Sequence, residues 1–401
     1  INSSFLLALV ASMAALLIAT TVPGRNIKGV TISIISLVIV LVLLGVNLVG
    51  SYLPDVPTGT NPDKEINKSP LPGEIIETRW GAFGRTDLVA FSDDPEERVI
   101  FIDGTAGTRM YRFNGDLDNP DPIIDSLKTD FPGYLPLLFL QEEERNNALI
   151  IGSGGGRDIL LALMGGVGEV TAVEVNGELV DIVREYAGYN GGIYTDFDNV
   201  TVIVDEGRSF LKRQKETYDI IMLSQARTGT SRSLEGYALT ENFLFTTDSI
   251  NDYMEHLTDE GRLIVVAHNP VEALRLLSIS LEALNERGVD NEAAMEQIYI
   301  VGTYMYPVFV LKKTSFESTE MESIHQSINQ LGYDLPLSYL PGIAMLDPQL
   351  MAMSRGEKDL SDLVGILADG GFDISPVTDN SPFFYKLEKG MPQPVSQVFW
   401  V

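Results

Sequence analysis

A glycine-rich loop between an apolar strand and a helix is the feature that most constrains the fold of this chain. The loop lies in the segment Ile150–Asp158, of sequence IIGSGGGRD, and helical spacing continues to Met164. Glycines let the backbone turn sharply and approach a ligand, and a helix N-terminus favours anionic or polar groups. The next apolar run ends at Glu174, where an acid accepts hydrogen bonds from ribose hydroxyls in nucleotide-binding proteins. The pattern predicts a nucleoside-cofactor site, with a glycine-rich packing turn as the alternative.

Apolar strands and amphipathic helices alternate through the middle of the chain. This alternation indicates a mostly parallel sheet with helices on both faces, so we predict a Rossmann-like α/β domain of about seven strands. The predicted strands are Ala148–Ile151, Glu169–Glu174, Val200–Val204, Tyr218–Leu223, Arg262–Ala267 and a closing hairpin of Gln297–Val301 and Val308–Leu311. The predicted helices are Asp158–Met164, Glu178–Tyr186, Asp248–Leu257 and Val271–Glu286.

Polar residues follow the third and fourth strands of this domain. Asp205 and Glu206 come after the third strand, and an acid there can accept a hydrogen bond from an adenine amino group. Ser224 and Gln225 come after the fourth strand. Because the carboxyl ends of parallel strands meet at one edge of the sheet, we expect these residues to share a pocket with the glycine loop. The predicted cofactor-binding residues are Gly152, Ser153, Gly154, Gly155, Gly156, Glu174, Asp205, Glu206 and Ser224.

Two uncharged apolar runs open the chain. Phe5–Val22 and Val30–Leu53 each have the length that spans a bilayer as a helix, about 17–25 residues. A signal peptide is disfavoured because no basic residue precedes the first run. We therefore predict a transmembrane helical hairpin and an integral membrane protein, with two buried helices of a soluble protein as the alternative. Arg25 and Lys28 favour a cytoplasmic turn, whereas catalysis would favour a cytoplasmic large domain, so the orientation stays open.

Composition divides the chain into five predicted parts. A segment rich in Pro, Gly and Asp follows the hairpin, and short β-like runs come next. Two helices are predicted after Thr314, and the C-terminal residues are expected to lead toward a further membrane segment of a longer protein. The parts are a transmembrane hairpin (1–54), a linker (55–73), a small β-domain with strands at Thr86–Phe91, Arg98–Asp103 and Thr108–Phe113 (74–133), a nucleoside-cofactor-binding domain (134–315) and a helical extension (316–401).

Charge and residue usage exclude several functions. Lys and Arg number 28 against 56 Asp and Glu, a formal net charge of −28. This balance argues against a nucleic-acid partner, since phosphate contacts need a basic face. The absence of cysteine excludes disulfides, thiolate metal sites and a cysteine nucleophile. The three histidines are too far apart for a metal motif, so no metal is predicted. The acidic surface fits either a cationic ligand, such as a small amine, or solubility alone.

Several short motifs resemble the spermidine synthase family, and especially its membrane-embedded relatives in microbes. The glycine loop, Glu174 and Glu206-Gly207 are similar to the family's cofactor loop, ribose acid and adenine-side acid–glycine pair. The resemblance implies a class I methyltransferase fold and binding of S-adenosylmethionine or decarboxylated S-adenosylmethionine. The other similar segments are Phe83–Asp87, Ile102–Gly104, Leu244–Thr246 with Asp248, and Thr378–Tyr385.

The residues expected around the reacting centre depart from that family. Soluble aminopropyltransferases carry an Asp-Ser-Ser-Asp-Pro motif after the fourth strand, where this chain has Leu223–Arg227 without a carboxylate. They also carry an aspartate, which holds the amine of the cofactor, where this chain has Gly155; Asp158 either substitutes for it or caps the following helix. Their Tyr-His-Glu run is not found near Tyr134. An attacking ammonium must lose a proton to a base, so we predict little or no aminopropyl transfer to putrescine. The candidate catalytic residues are Asp103, Glu241 and His268, with Glu235 and Tyr237 as further candidates.

Three arginines flank the predicted pocket. Arg157 follows the glycine loop, and Arg208 and Arg227 follow the third and fourth strands. One interpretation is recognition of an acidic substrate, or of a methionine-type carboxylate on the cofactor. The alternative is ordinary ion pairing with the neighbouring acids Asp158, Asp205 and Glu206.

Two main functions remain open at the level of the sequence. The first is a membrane-anchored transferase that uses an adenosyl cofactor to move an aminopropyl or methyl group, with a small amine as the acceptor. The second is a non-catalytic member of the same fold that acts as a binding or scaffold subunit of a membrane assembly, or as a homo-oligomer. A transporter with this domain as its sensor is a third. Fold alone does not decide among them, because function depends on the site.

Overall fold

The computed structural model describes residues 3–21, 27–50, 64–67, 73–91, 94–226, 240–303, 305–333, 338–343 and 347–389. The chain divides into two compact units, residues 1–61 and residues 62–401. Most of the predicted linker, and the turn between the two apolar runs, lie outside the described residues.

The first unit contains two apolar helices, α1 (Ser3–Thr21) and α2 (Ile27–Gly50). The two helices contact each other, and both leave large apolar side chains exposed, such as Leu17 and Ile32. Of the described helices, α2 is long and apolar enough over Ile27–Val46 to cross a membrane, whereas α1 has a shorter apolar stretch. The prediction of two helices is confirmed, and their crossing of a bilayer stays a prediction.

A four-stranded antiparallel sheet opens the second unit, with its strands in sequential order. The core side of this sheet buries Leu88 and Ile100 completely. The first strand is absent from the predicted set, because its alternation is weak and exposed glutamates interrupt it; pairing with the second strand makes it regular. The strands are β1 (Gly73–Gly81), β2 (Gly84–Phe91), β3 (Asp94–Ile102) and β4 (Ala106–Met110).

A seven-stranded sheet forms the centre of the second unit, in the order β10-β11-β9-β8-β5-β6-β7. Strands β5 to β9 pair in parallel, and β10 and β11 form an antiparallel hairpin that pairs with β9. This arrangement is the class I methyltransferase fold, and it confirms the predicted α/β architecture. The strands are β5 (Asn147–Ile151), β6 (Glu169–Glu174), β7 (Val200–Val204), β8 (Tyr218–Ser224), β9 (Leu257–Val266), β10 (Ile298–Val301) and β11 (Val308–Lys312).

Helices cover both faces of this sheet, and polar caps fix where several of them begin. Asn176 and Glu206 accept backbone N–H bonds at the starts of α7 and α9, directly after strand ends. These caps place polar side chains at the carboxyl edge of the sheet. The helices are α3 (Pro122–Asp125), α4 (Leu127–Asp130), α5 (Leu135–Leu138), α6 (Arg157–Met164), α7 (Gly177–Glu185), α8 (Ala187–Asn190), α9 (Gly207–Lys212), α10 (Thr247–His256), α11 (Pro270–Glu286) and α12 (Asn291–Met295).

The region after Thr314 contains three described helices, one more than predicted. They are α13 (Ser318–Leu331), α14 (Pro348–Met353) and α15 (Leu360–Asp369). The residues after α15 return to the sheet, where Phe384 and Tyr385 are buried against the core of α10 and α11. Asp379 in this returning segment forms an ion pair with Arg208 of α9 at 2.6 Å. The segment is thus part of the domain core.

A closed ion cluster lies at the amino end of the sheet. The guanidinium of Arg262, which is fully buried on β9, contacts Glu144 at 2.8 Å and Glu320 of α13 at 2.9 Å. Lys312 of β11 contacts Glu144 at 3.2 Å. Burial would raise the pKa of Glu144, but the charges of Arg262 and Lys312 and a backbone N–H outweigh burial and lower it. Glu144 is therefore held ionised by its protein partners.

Candidate functional site

A cleft of about 920 Å³ lies at the carboxyl edge of the parallel strands. Residues that follow neighbouring strands, from β7 across the sheet to β9, line the cleft side by side. Predicted residues from several strand ends therefore lie in one pocket. Part of the cleft wall comes from the small sheet and from the start of the large domain, through Phe101, Thr108, Arg109 and Phe131. Along the sheet edge the lining residues are Asp205 and Glu206 after β7, Glu174 at the end of β6, Gly152 to Gly154 after β5, Ser224 and Gln225 after β8, and His268 after β9.

The glycine loop combines a ligand-facing half and a packing half. Gly152 and Gly154 line the cleft. Their backbone φ angles are +79° and +53°, which residues other than glycine rarely adopt. Gly155 and Gly156 do not line the cleft. A methyl group at Gly155 would collide with the carbonyl oxygen of Arg109 on β4, so the small sheet packs directly on the loop. Cofactor binding by Gly155 and Gly156 stays a prediction, and the contact with β4 shows that Gly155 is needed for close packing.

A buried tyrosine fixes the conformation of this loop. The hydroxyl of Tyr194 donates to the carbonyl oxygen of Gly154 at 2.6 Å and lies 2.7 Å from the hydroxyl of Ser153. Burial and the nearby Glu174 carboxylate raise the pKa of Tyr194, so the phenol stays protonated. Tyr194 has no local motif that marks it, because its partners are about forty residues away in sequence, and sequence reasoning missed it.

Glu174 presents a buried carboxylate to the cleft. It is 7% exposed, and its two oxygens accept backbone N–H bonds from Gly154 and Asn176, both at 3.0 Å. A carboxylate has about four acceptor sites, so acceptor capacity remains for a ligand. Burial raises the pKa of Glu174, while the backbone N–H bonds oppose that rise. The backbone N–H of Gly154 thus holds the Glu174 carboxylate beside the glycine loop, where it can accept hydrogen bonds from a ligand.

The two acids after β7 also shape the cleft. Glu206 accepts N–H bonds from Arg208 and Ser209 as the cap of α9, and Asp205 pairs with Arg213. Both side chains line the cleft as well. An adenine contact through either residue stays a prediction.

Arg157 and Asp158 lie at the other side of the glycine loop from Glu174. The Arg157 guanidinium lies 3.9 Å from the ring centroid of Phe131, donates to Gln225 at 3.2 Å and contacts Asp158 at 3.4 Å. Burial raises the pKa of Asp158, and the charge of Arg157 and the Ser224 hydroxyl oppose that rise. Arg157 therefore pairs with Asp158 and lines the cleft at the same time.

Arg208 is a structural arginine. Its guanidinium is buried and contacts Asp252 and Asp379, each at 2.6 Å. Burial lowers the pKa of Arg208, but its hydrogen bonds to the two carboxylates outweigh burial and raise the pKa. It pairs with these residues rather than with the neighbouring Asp205 or Glu206.

His268 is the catalytic candidate that the structure places in the cleft. Its Nδ1 lies 2.9 Å from a carboxylate oxygen of the buried Glu272, and its ring approaches Tyr385 edge-on at 6.2 Å. With the proton on Nδ1, which donates to Glu272, Nε2 is the basic nitrogen. Tyr385 also donates to the backbone of Ala226 after β8, so the returning C-terminal segment supports this end of the cleft.

Two other catalytic candidates, Asp103 and Glu241, are described and do not line the cleft. Asp103 has a φ of +50° and accepts the backbone N–H of Arg85 at 3.0 Å, which makes it a turn residue of the small sheet. Glu241 is exposed and does not line the cleft. A catalytic role for either acid stays a prediction, although neither side chain lines the cleft. Glu235, Tyr237 and Arg227 lie outside the described residues. Among the described residues, no group of three His, Asp or Glu is arranged to hold a metal.

Comparisons with known proteins agree with this architecture. Residues 135–323 match the family profile of the spermine/spermidine synthase domain. The chain is 28% identical over 138 residues to the polyamine aminopropyltransferase of Pectobacterium atrosepticum, covering 34% of this chain and 43% of that protein. It is 25% identical over 157 residues to the one from Klebsiella pneumoniae, covering 38% of this chain and 54% of that protein. The chain thus spans about half the length of the curated relatives it matches.

Solved structures with a similar arrangement include two spermidine synthases. One, bound to the transition-state analogue AdoDATO, is 15% identical with a TM-score of 0.41, covering 61% of this chain and 74% of that chain. The enzyme from Thermotoga maritima is 15% identical with a TM-score of 0.42, covering 61% and 75%. Residues 135–323, slightly less than half of the chain, are thus similar to the spermine/spermidine synthase domain.

Proposed function

We propose that this protein binds an adenosyl sulfonium cofactor and transfers a group from it to a small amine. The observation that carries the proposal is the carboxylate of Glu174, which is buried in the cleft and bonded to the backbone of the glycine loop. Its remaining acceptor sites suit the two hydroxyls of a ribose. The cleft volume of about 920 Å³ lies within the usual range for small-molecule sites, about 300–1,000 Å³.

The chemistry supplied by such a cofactor is an electrophilic carbon on a positively charged sulfur. An amine nitrogen forms the new C–N bond, the electron pair of the broken C–S bond goes to sulfur, and the amine proton goes to a base. His268 supports the role of base, because Glu272 holds its Nδ1 and its ring lines the same cleft. Asp130 also lines the cleft and adds negative charge for a cationic acceptor.

The residues after β8 favour a transferred group other than aminopropyl. Ser224 and Gln225 provide no carboxylate where the resembling enzymes have an aspartate. The cleft therefore lacks, among its described lining residues at this strand end, the group that would accept a proton from putrescine. This observation also favours the second candidate, a domain that binds the cofactor without turnover.

We propose that the first unit anchors the protein in a membrane. Support comes from the length and apolarity of α2, from Ile27 to Val46, and from the exposed apolar side chains on both helices. Alkaline carbonate extraction of membranes that contain the full chain tests this. The protein should stay in the pellet, and release into the supernatant would contradict the proposal.

Calorimetric titration of the full chain in detergent tests cofactor binding. The ligands are S-adenosylmethionine, its decarboxylated form and methylthioadenosine. The substitution Glu174→Gln should weaken binding of all three ligands by roughly 1.5–3 kcal/mol, because it removes the charged group that accepts hydrogen bonds from the ribose hydroxyls. The matched control is Glu169→Gln at the exposed start of the same strand, which should leave affinity unchanged. Equal affinity of the Glu174→Gln and unaltered chains would reject the site.

A further inference from the structure

The side chains of Arg157 and Asp158 form an adjacent cation–anion pair in the cleft, at the place where the tail of the proposed cofactor would lie. We infer that this pair selects a cofactor with a zwitterionic amino-acid tail, S-adenosylmethionine, over its decarboxylated form. The inference rests on the proposed adenosyl site and assigns the chemistry of the half of the cofactor that Glu174 does not hold.

The order of the strands fixes on which side of the glycine loop the pair lies. Glu174 ends β6, the loop follows β5, and Gln225 follows β8, and these strands are neighbours in that order. A ribose bound at Glu174 would leave the space on the β8 side of the loop for the rest of the cofactor, because the strands lie in this order. Arg157 donates to Gln225 on that side, so the pair faces the tail rather than the adenosine.

The Arg157 guanidinium is positioned but not used up by its protein partners. A guanidinium has five N–H donors in a planar fork. Two N–H groups of Arg157 contact Gln225 and Asp158, at the rather long distances of 3.2 and 3.4 Å. Its plane is held 3.9 Å from the centroid of the Phe131 ring. The remaining donors suit a carboxylate, which arginine binds in a bidentate manner.

Asp158 completes recognition of an amino-acid group. Its carboxyl is 3% exposed and lines the cleft beside Arg157. An α-ammonium can contact Asp158 while the α-carboxylate contacts Arg157, so that each buried charge gains a partner. A tail that carries only an ammonium would face a pair whose charges already cancel, and it would bring a like charge close to the guanidinium.

The cleft holds the carboxylates of Asp130 and Asp158, but the two positions at which the resembling enzymes carry an aspartate are not acidic in this chain. Gly155 has no room for a side chain, because an added methyl group would collide with the backbone of Arg109. Ser224 and Gln225 after β8 are neutral. The carboxylate beside the loop, Asp158, is instead paired with Arg157, and such a pair matches a zwitterion better than a lone cation.

The inference changes the group that is transferred. With the intact cofactor the reacting carbon is the methyl group on sulfur. The acceptor nitrogen forms a bond to that methyl carbon, the C–S electron pair returns to sulfur as S-adenosylhomocysteine is released, and the acceptor proton goes to the base. The substrate class is then a small amine that becomes N-methylated.

The test is a titration of the full chain in detergent with four ligands. S-adenosylhomocysteine and methylthioadenosine compare a zwitterionic tail with none, and S-adenosylmethionine and its decarboxylated form compare a tail with and without the carboxylate. We expect the carboxylate-bearing member of each pair to bind at least about tenfold more tightly, as for a charge-assisted hydrogen bond. Arg157→Gln should remove this advantage and leave methylthioadenosine affinity within about twofold.

The controls separate this inference from the proposed function. Arg287→Gln changes an exposed arginine that bonds to Asn251 on α10 and should alter no affinity. Binding of methylthioadenosine without a gain from the carboxylate, or tighter binding of the decarboxylated form, overturns the inference and leaves the proposed adenosyl site standing. Failure of all four ligands to bind rejects both. Should Arg157→Gln not fold, Arg157→Lys and the four affinities of the unaltered chain give the same decision.

Discussion

The two ends of the central sheet bury charges in opposite ways. At the amino end, Glu144 is enclosed by Arg262 and Lys312, and these cations hold its pKa below the usual range. At the carboxyl end, Glu174 bonds to backbone N–H groups and burial raises its pKa. The first carboxylate is fully partnered by the protein, whereas the second keeps free acceptor sites that face a cleft. The difference teaches that two buried acids in one sheet can differ in how completely the protein partners them, and we therefore look for a ligand at the incompletely partnered one.

The largest expected effect comes from opening the ion cluster. Arg262→Met leaves Glu144 buried without its main cation and should lower the free energy of unfolding by about 3–5 kcal/mol. Chemical denaturation measures this. The double variant Arg262→Met, Glu144→Gln also removes the buried carboxylate and should recover part of the loss, because Glu320 and Lys312 keep their charges. No loss in the single variant would mean that the amino-end cluster contributes little, and the comparison would fail.

Acidification should act on the carboxyl end first. Burial raises the pKa of Glu174, so on lowering the pH it takes up a proton above the usual glutamate range near about 4.3. Ribose hydroxyls donate to the ionised carboxylate; affinity for methylthioadenosine should therefore be constant above this raised pKa and fall by up to about tenfold per pH unit below it. The full loss should approach roughly 1.5–3 kcal/mol. In Glu174→Gln the profile should be flat, and a sloped profile there would assign the effect to another group.

Packing of the small sheet on the glycine loop gives a smaller effect. Gly155→Ala places a methyl group against the carbonyl oxygen of Arg109 and should lower the free energy of unfolding by about 1–3 kcal/mol, as overpacking does. Gly188→Ala in α8 is the matched control, because nothing lies within 4 Å of the added methyl group. The melting temperature of Gly155→Ala should fall, whereas that of Gly188→Ala should stay the same or rise. Equal melting temperatures would show that the loop accommodates a side chain.

The smallest effect is expected from the tyrosine behind the loop. Tyr194→Phe removes hydrogen bonds to Ser153 and to the carbonyl oxygen of Gly154. Loss of such bonds should lower the free energy of unfolding by about 1 kcal/mol and weaken adenosyl ligands by a similar amount, because the loop loses its fixed geometry. Tyr253→Phe, whose hydroxyl bonds to Leu244 away from the loop, should lower stability without that loss of affinity. Equal ligand affinities for both variants would separate Tyr194 from binding.

The parts of this site that could be predicted from the sequence are those set by local pattern. The glycine loop and Glu174 were predictable because strand, turn and helix follow one another directly, and parallel strands place their ends together. The buried central strands of the sheet were also predictable, because each is a short continuous apolar run.

The remaining features depend on contacts between distant segments. Strand β1 is regular because it pairs with β2, and its own side chains give little signal. The packing role of Gly155 comes from the close approach of β4, and the setting of Arg157 from Phe131 and Gln225. The turn conformation of Asp103, with its φ of +50°, also could not be predicted from its residue type.

The most direct test of the central claim is a crystal structure of the full chain grown with S-adenosylhomocysteine. We predict that its ribose hydroxyls lie within hydrogen-bond distance of the Glu174 carboxylate and that its amino-acid tail lies beside Arg157 and Asp158. Ligand density elsewhere on the protein, or a ligand in this cleft whose ribose does not contact Glu174, would contradict the account.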